Sequence, residues 1–355
     1  MKNTLFAAVI AIVLFTLSGC YYITEGCNLI SVYSKAKDIN TVLKEPNLPQ
    51  DERDLLLLVK DIKAFAVNEL GLKDNKNYTT YVKLDKNYLV DVVAACAADS
   101  FNQYTWDYPF VGRLPYRGYF NPKDADAEAK KLKKQGLDVY ERKVDAFSTL
   151  GFFSDPVFSF MKDYPVFYLA NTIIHEQTHA TFFLGDNAEF DENLANFFGN
   201  RGAKEYVKKR FGEDSDIYVK TGLFEHDVKS YQTLLKKLHD TLQAIYTKDI
   251  GKEEKLAQKA KAIKDWKSEF TADYHKYFRT EAFKNVPDIN INNAFLATHM
   301  NYSRRLDLLQ KLYQACGSDL KKMMRVVTAS KEQKQDIYSY IKSYIKAHGN
   351  AGGAG

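Results

Sequence analysis

The chain has 355 residues, 45% of them apolar and 27% charged, with a formal net charge of +5. That is the make-up of an ordinary globular protein, long enough for one large core or two modest domains. The mild positive charge is spread along the chain and forms no basic cluster interleaved with aromatics, which argues against a nucleic-acid partner.

The first stretch reads as a targeting segment. Lys2 is followed by an apolar run from Leu5 to Leu17 and then by Leu17-Ser18-Gly19-Cys20. A basic start, an apolar run and small residues before a cut make a secretory signal peptide over 1–19. The run is shorter than the roughly 20 apolar residues that span a bilayer. Leu-Ser-Gly-Cys resembles the lipobox of bacterial lipoproteins, which implies that a diacylglyceryl group alkylates Cys20 and that Cys20 becomes the new N-terminus. Each buried CH₂ of such a lipid contributes about 0.8 kcal/mol to anchoring. Tyr21, where an Asp would favour the inner membrane, points to the outer membrane facing the periplasm. The other cysteines, Cys27, Cys96 and Cys316, have no metal-site spacing and do not make a full disulfide set, though one disulfide in an oxidising periplasm stays open.

Residues 28–45 and 51–71 read as helices, the second with Asp51-Glu52 at its positive end. With Cys20 they form an N-terminal tether and helices over 20–75, packed on a catalytic unit at 76–350. Tyr78 to Val82 and Tyr88 to Val93 are β-branched and aromatic, with Asp85-Lys86-Asn87 as turn material between them. Pro115 to Phe120 is a further extended piece, 122–135 a solvated helix, and Leu137 to Leu150 returns to the sheet. From Asp155-Pro156 onward nearly everything is helical: a hairpin of 222–247 and 252–280 about Asp249-Ile250-Gly251, then helices at 290–315 and 331–347. A small β-sheet followed by a helical C-terminal part gives an α+β class, mostly helical.

The strongest motif is His175-Glu176-Gln177-Thr178-His179. Two His four apart share one helix face, so both imidazoles can reach one cation, and Glu176 can reach a water beside it. With seven His in the chain, chance produces such a pattern in about one chain in a hundred. Val166 to Ala170 and Ile173-Ile174 make the helix strongly apolar, and burying a Glu and two His with nothing to bind is costly. A catalytic zinc needs a third protein ligand. Gly185-Asp186-Asn187 breaks the first helix, and Glu192 lies early on the next, which must fold back along it. Ala195 permits close helix approach, and Asn196 falls on the same face as Glu192, placed to hydrogen-bond a ligand His. Glu189 and Asp191 are competing ligands that also suit a solvated first turn. One Zn²⁺ per chain fits this ligand set, and manganese and cobalt also accept it.

His175 to His179 followed by Phe190-Asp191-Glu192-Asn193-Leu194-Ala195 resembles the gluzincin arrangement of zinc metallopeptidases. Together with Pro115 to Phe120, Ser148 to Pro156, Asn292-Asn293-Ala294 and Tyr302, the chain resembles the bacterial putative aminopeptidase lipoprotein family over most of its length. The resemblance implies a zincin-like fold and zinc-dependent peptide-bond hydrolysis, an aminopeptidase acting on peptides in the cell envelope. Asp191 stands where that family tends to have Asn. Phe147 stands where a Tyr is common, which removes a hydroxyl.

On this reading zinc lowers the pKa of its water toward about 7 and Glu176 moves the proton to the leaving amine. The oxyanion needs a donor; Tyr302 and His299 are candidates, and the family resemblance favours Tyr302. Peptides commonly add to a sheet edge, here Phe147–Phe153 or Tyr116–Phe120, where Gly151 and Gly118 permit close approach and Tyr116 joins the substrate-binding set. Asp155 is the candidate carboxylate for a free α-amine. His226, His239, His275 and His348 read as surface residues, and the Lys-rich hairpin over 228–280 as a solvated face or a lid over the site. Two alternatives stay open, a zinc endopeptidase of envelope proteins and a non-catalytic binding lipoprotein on the same fold. A retained general base counts against the second. The expected partners are a peptide and, through the lipid, a membrane.

Overall fold

In a computed structural model, which describes residues 21–108, 112–145, 154–300, 306–333 and 335–349, the chain opens in a helix, α1, over 21–33. Residues from Tyr21 onward are therefore not a loose tether. The helix expected over 28–45 stops early because Asp38 caps a new short helix, accepting from the backbone of Asn40 and Thr41. Strand β1 (Lys37–Asp38) and helix α2 (Ile39–Val42) replace its second half. Helix α3 (Gln50–Asn68) follows, with Leu55, Leu56, Val59, Ile62 and Phe65 buried at helical spacing.

The sheet region is β2 (Thr80–Val82), β3 (Val90–Ala97), β4 (Trp106–Tyr108), β5 (Gly112–Leu114), β6 (Tyr116–Tyr119), helix α4 (Pro122–Lys134), β7 (Leu137–Val144) and β8 (Val157–Phe158). Strand β3 is central between antiparallel β6 and β7. It is buried on both faces, and α4 covers one of them with Ala125, Ala129 and Leu132. Strands β4 and β5 form a separate ribbon, and β1, β2 and β8 a second small sheet. In that sheet β2 and β8 run parallel, Tyr81 opposite Val157, with the whole β3–β7 region as their crossover. This pairing draws Asp155 to Tyr78, whose amide donates to the Asp155 carbonyl at 2.6 Å.

The rest is helical: α5 (Val166–Thr181), α6 (Ala188–Phe211), α7 (Asp216–Tyr246), α8 (Lys252–Ala272), α9 (Tyr274–Tyr277), α10 (Asn293–Met300), α11 (Leu306–Ala315), α12 (Leu320–Ala329) and α13 (Ile337–His348). The helix expected over 252–280 ends at Ala272 with the short α9 after it, and α12, behind a cap at Asp319, was not anticipated from the sequence. One apolar core joins α3, β2, β8, α5, α6 and α11 to α13, so the N-terminal helices share the interior of the helices that follow. The Tyr206 hydroxyl and the Arg210 guanidinium both donate to Asp61, tying α6 to α3.

A second core lies inside the α7/α8 hairpin, around Leu234, Leu235, Leu238, Leu242, Trp266 and Phe270. The hairpin is fixed to the sheet. Tyr246 donates to Asn293 at 2.7 Å, Lys259 binds Asp138 and the Ala98 carbonyl, and His239 stacks on Phe101 at 4.1 Å. It thus buttresses the end of the sheet, with most of its lysines on the outer face and Lys259 turned inward. Asn292 and Asn293 fix the start of α10 to the same end, donating to the carbonyls of Val139, Ala97 and Ser100.

Candidate metal centre

Helices α5 and α6 lie unusually close. A Cβ at Gly199 of α6 would stand 3.0 Å from the Asn171 carbonyl and 3.3 Å from the His175 Cβ, and one at Gly202 would meet Ile174 at 3.2 Å. The turn between them is set by Asp191. It is almost fully buried, and its carboxylate accepts from the amides of Leu184 and Gly185 at 2.9 and 3.1 Å. Asp191 is therefore neither a competing ligand nor part of a solvated turn, because both its oxygens hold backbone. Asn187 caps α6 through Phe190.

This geometry brings three predicted ligands together. The Nε2 atoms of His175 and His179 are 3.2 Å apart, and Glu192 oxygens lie 3.4 Å from His179 and 3.8 Å from His175. Two nitrogens about 2.05 Å from one zinc at a tetrahedral angle are roughly 3.3 Å apart. Two neutral imidazoles do not turn lone pairs on each other without a cation or a proton between them. The residues therefore fit a zinc ion, and these are the groups that could hold one. Asn196 hydrogen-bonds His175. The Nδ1 of His179 is buried and meets no partner among the described residues.

Without a cation, the charges divide unevenly. Burial and the neighbouring His179 push His175 down to about 4. Burial pulls His179 down, but the hydrogen bond to Glu192 together with the charges of Glu192, Glu176 and Asp191 outweighs this and raises it. That same bond lowers Glu192 despite desolvation. Glu176 is pushed up to about 7, first by burial and then by the charge of Asp155. Burial raises Asp155 to about 6, with His179 pulling the other way. Asp155 thus lies within electrostatic reach of the metal helix, as a turn-forming Asp-Pro would not by itself require.

Two tyrosines went unnoticed in the sequence. Burial raises the hydroxyls of Tyr33 and Tyr78, and the charges of Asp155 and Glu176 raise them further. Tyr78 holds a left-handed backbone at φ 56°, uncommon outside glycine and Asn/Asp. Its only sequence signal is the polar Asn75-Lys76-Asn77 before it. Phe183, 55% exposed, sets its ring edge-on 6.2 Å from that of His179.

His299 places Nδ1 2.8 Å from the Phe295 carbonyl among the rings of Tyr140, Tyr231 and Phe295, and burial lowers it. Along β6, three outward backbone groups are already taken: the carbonyls of Tyr116 and Gly118 accept from Tyr108 and Tyr21, and the Phe120 amide donates to Glu25. Tyr116–Phe120 is thus an edge blunted by side chains rather than an open one. Tyr302, Gly151, Cys20 and the Phe147–Phe153 edge lie outside the described residues.

A family model described as "Putative aminopeptidase" matches residues 20–337. The chain belongs to that family. No curated protein and no solved structure matches it. Within this aminopeptidase family member, the α5/α6 pair holds the one group of three or more metal-capable side chains within reach of a common ion among the described residues.

Proposed function

We propose that this chain is a zinc-dependent aminopeptidase of the bacterial cell envelope, anchored by a lipid on Cys20. The observation that carries the reading is the convergence of His175, His179 and Glu192, with ligand atoms all within 4.8 Å of one another, next to a half-buried Glu176. When bound, zinc supplies a Lewis acid that polarises the scissile carbonyl and makes a water more acidic.

The protein's own groups do the rest. Glu176, held near neutrality by burial and by Asp155, takes a proton from the attacking water and returns it to the departing amine. Asn196 fixes the orientation of His175. Asp155 offers a carboxylate to the substrate's α-ammonium, and a cation there relieves its repulsion with Glu176. Phe183 gives an apolar surface to a side chain next to the scissile bond. Tyr302 remains the proposed oxyanion donor.

The test compares a short peptide with a free amino end and the same peptide acetylated there, using zinc-loaded protein. The reading expects release of the first residue from the free peptide, little cleavage of the acetylated one, and loss of that preference in Asp155→Asn. Equal cleavage of both, at internal bonds, would make the enzyme an endopeptidase.

A further inference from the structure

Helix α1 has an outward face that is exposed among the described residues. Ile23 is 69% exposed and Ile30 58%, with exposed Cys27 between them at helical spacing. Thr24 and Ser31 complete that face. The helix carries a single ionisable acid, Glu25, which is 5% exposed and turned inward to the Phe120 amide at 2.9 Å. The outer face is thus apolar and uncharged, unlike the solvated faces of α4 and α8.

The first residues of α1 bear on what covers this face. Tyr21 is docked by three contacts: its hydroxyl donates to the Gly118 carbonyl at 2.6 Å, the Arg117 guanidinium lies 3.6 Å over its ring, and Tyr119 meets it edge-on at 5.4 Å. Tyr22 is bound to the Asp107 carbonyl. If Cys20 carries the lipid, no flexible tether separates the anchor from the folded body, and one residue spans only about 3.5 Å. The start of α1 is then held at the headgroups, where tyrosines and an uncharged apolar stripe are at home. A water-facing tether would instead be polar and undocked.

We propose that the Ile23–Cys27–Ile30 face of α1 lies against the lipid bilayer and fixes the standing of the enzyme on the membrane. The far end of the same helix carries Tyr33, within electrostatic reach of Asp155 and Glu176. A helix of this length spans about 20 Å, so this face sets how the body that carries the metal centre stands on the surface. This rests on the reading of Cys20 as lipid-bearing, and the experiment separates the two.

The lipid consumes the Cys20 thiol, and Cys96 and Cys316 are buried, so Cys27 is the exposed thiol of the described chain. The lipidated full chain, labelled at Cys27 with a solvent-sensitive fluorophore, is reconstituted into phosphatidylethanolamine/phosphatidylglycerol vesicles containing nitroxide lipids. The expected result is flotation with the vesicles, a blue shift, and quenching at least about two-fold stronger than for a label at Lys252→Cys in a Cys27→Ser background. Ile23→Asn with Ile30→Asn should keep flotation and weaken the quenching. Vesicle-bound protein whose Cys27 label behaves as in buffer overturns the inference and leaves the anchor standing. Failure to float overturns both. A shift that appears without lipid as protein concentration rises would assign the face to a second copy and overturn it as well.

Discussion

The α5/α6 pair and the α7/α8 hairpin are both antiparallel helix pairs, built on opposite rules. The hairpin follows local preference: Leu and aromatic residues inside, lysines outside, and i,i+4 ion pairs such as Lys236–Asp240 and Lys261–Asp265 on the surface. The α5/α6 pair breaks it. Glycines replace side chains at the contact, Gln177 is fully buried with neither end of its amide partnered among the described residues, and two imidazole nitrogens face each other. A fold accepts such costs where they assemble chemistry. The hairpin shows what the same chain does when only stability is at stake.

The sharpest way to break the comparison is Glu176→Gln. With metal retained, peptide hydrolysis should fall by about 10²–10⁴-fold in kcat; a fully active variant would remove Glu176 from the reaction. Next is a matched pair of glycine substitutions. Gly199→Ala should destabilise by about 1–3 kcal/mol in denaturant unfolding, because the new methyl meets backbone at 3.0 Å, and should weaken metal retention. Gly222→Ala in α7, where nothing lies within 4 Å, should stabilise by about 0.5–1 kcal/mol. Similar results at both sites would erase the distinction between the two pairs.

A smaller effect is expected from pH on the metal-free protein. Glu176 and Asp155 have folded pKa values raised above their ordinary range. At these two carboxyls the folded state binds more protons than the unfolded one, so their contribution to stability falls as pH rises from about 4 through about 7. Metal-free Glu176→Gln should melt a few degrees above metal-free wild type at pH 8 and lose that advantage by pH 5. The smallest effect is Lys236→Ala, whose exposed ion pair should leave the melting temperature unchanged within error.

The parts of the site legible in the sequence were those fixed by helix periodicity: two His four apart, a Glu early on the returning helix, and Asn196 one turn beyond it. The strands expected at Tyr78–Val82 and Tyr88–Val93 exist but begin two residues later, at Thr80 and Val90, while the helix at 122–135 and the 222–280 hairpin were readable from local pattern. Non-local features were not. Tyr78 and Asp155 meet because β2 and β8 pair in parallel across a long crossover. Gly199 inside a helical pattern does not say which helix will lie against it. Tyr116–Phe120 looked like an open edge because the groups that blunt it, Tyr21, Glu25 and Tyr108, come from distant segments. The early end of the first helix was local, and Asp38 as a cap was overlooked.

The most direct test of the central claim is the metal content of the purified full chain, wild type beside Glu192→Ala, by mass spectrometry after zinc is supplied. One zinc per wild-type chain and a large loss in the variant are expected, with both proteins folded. A folded wild type that holds no metal, or a variant that holds it as tightly, would contradict that claim.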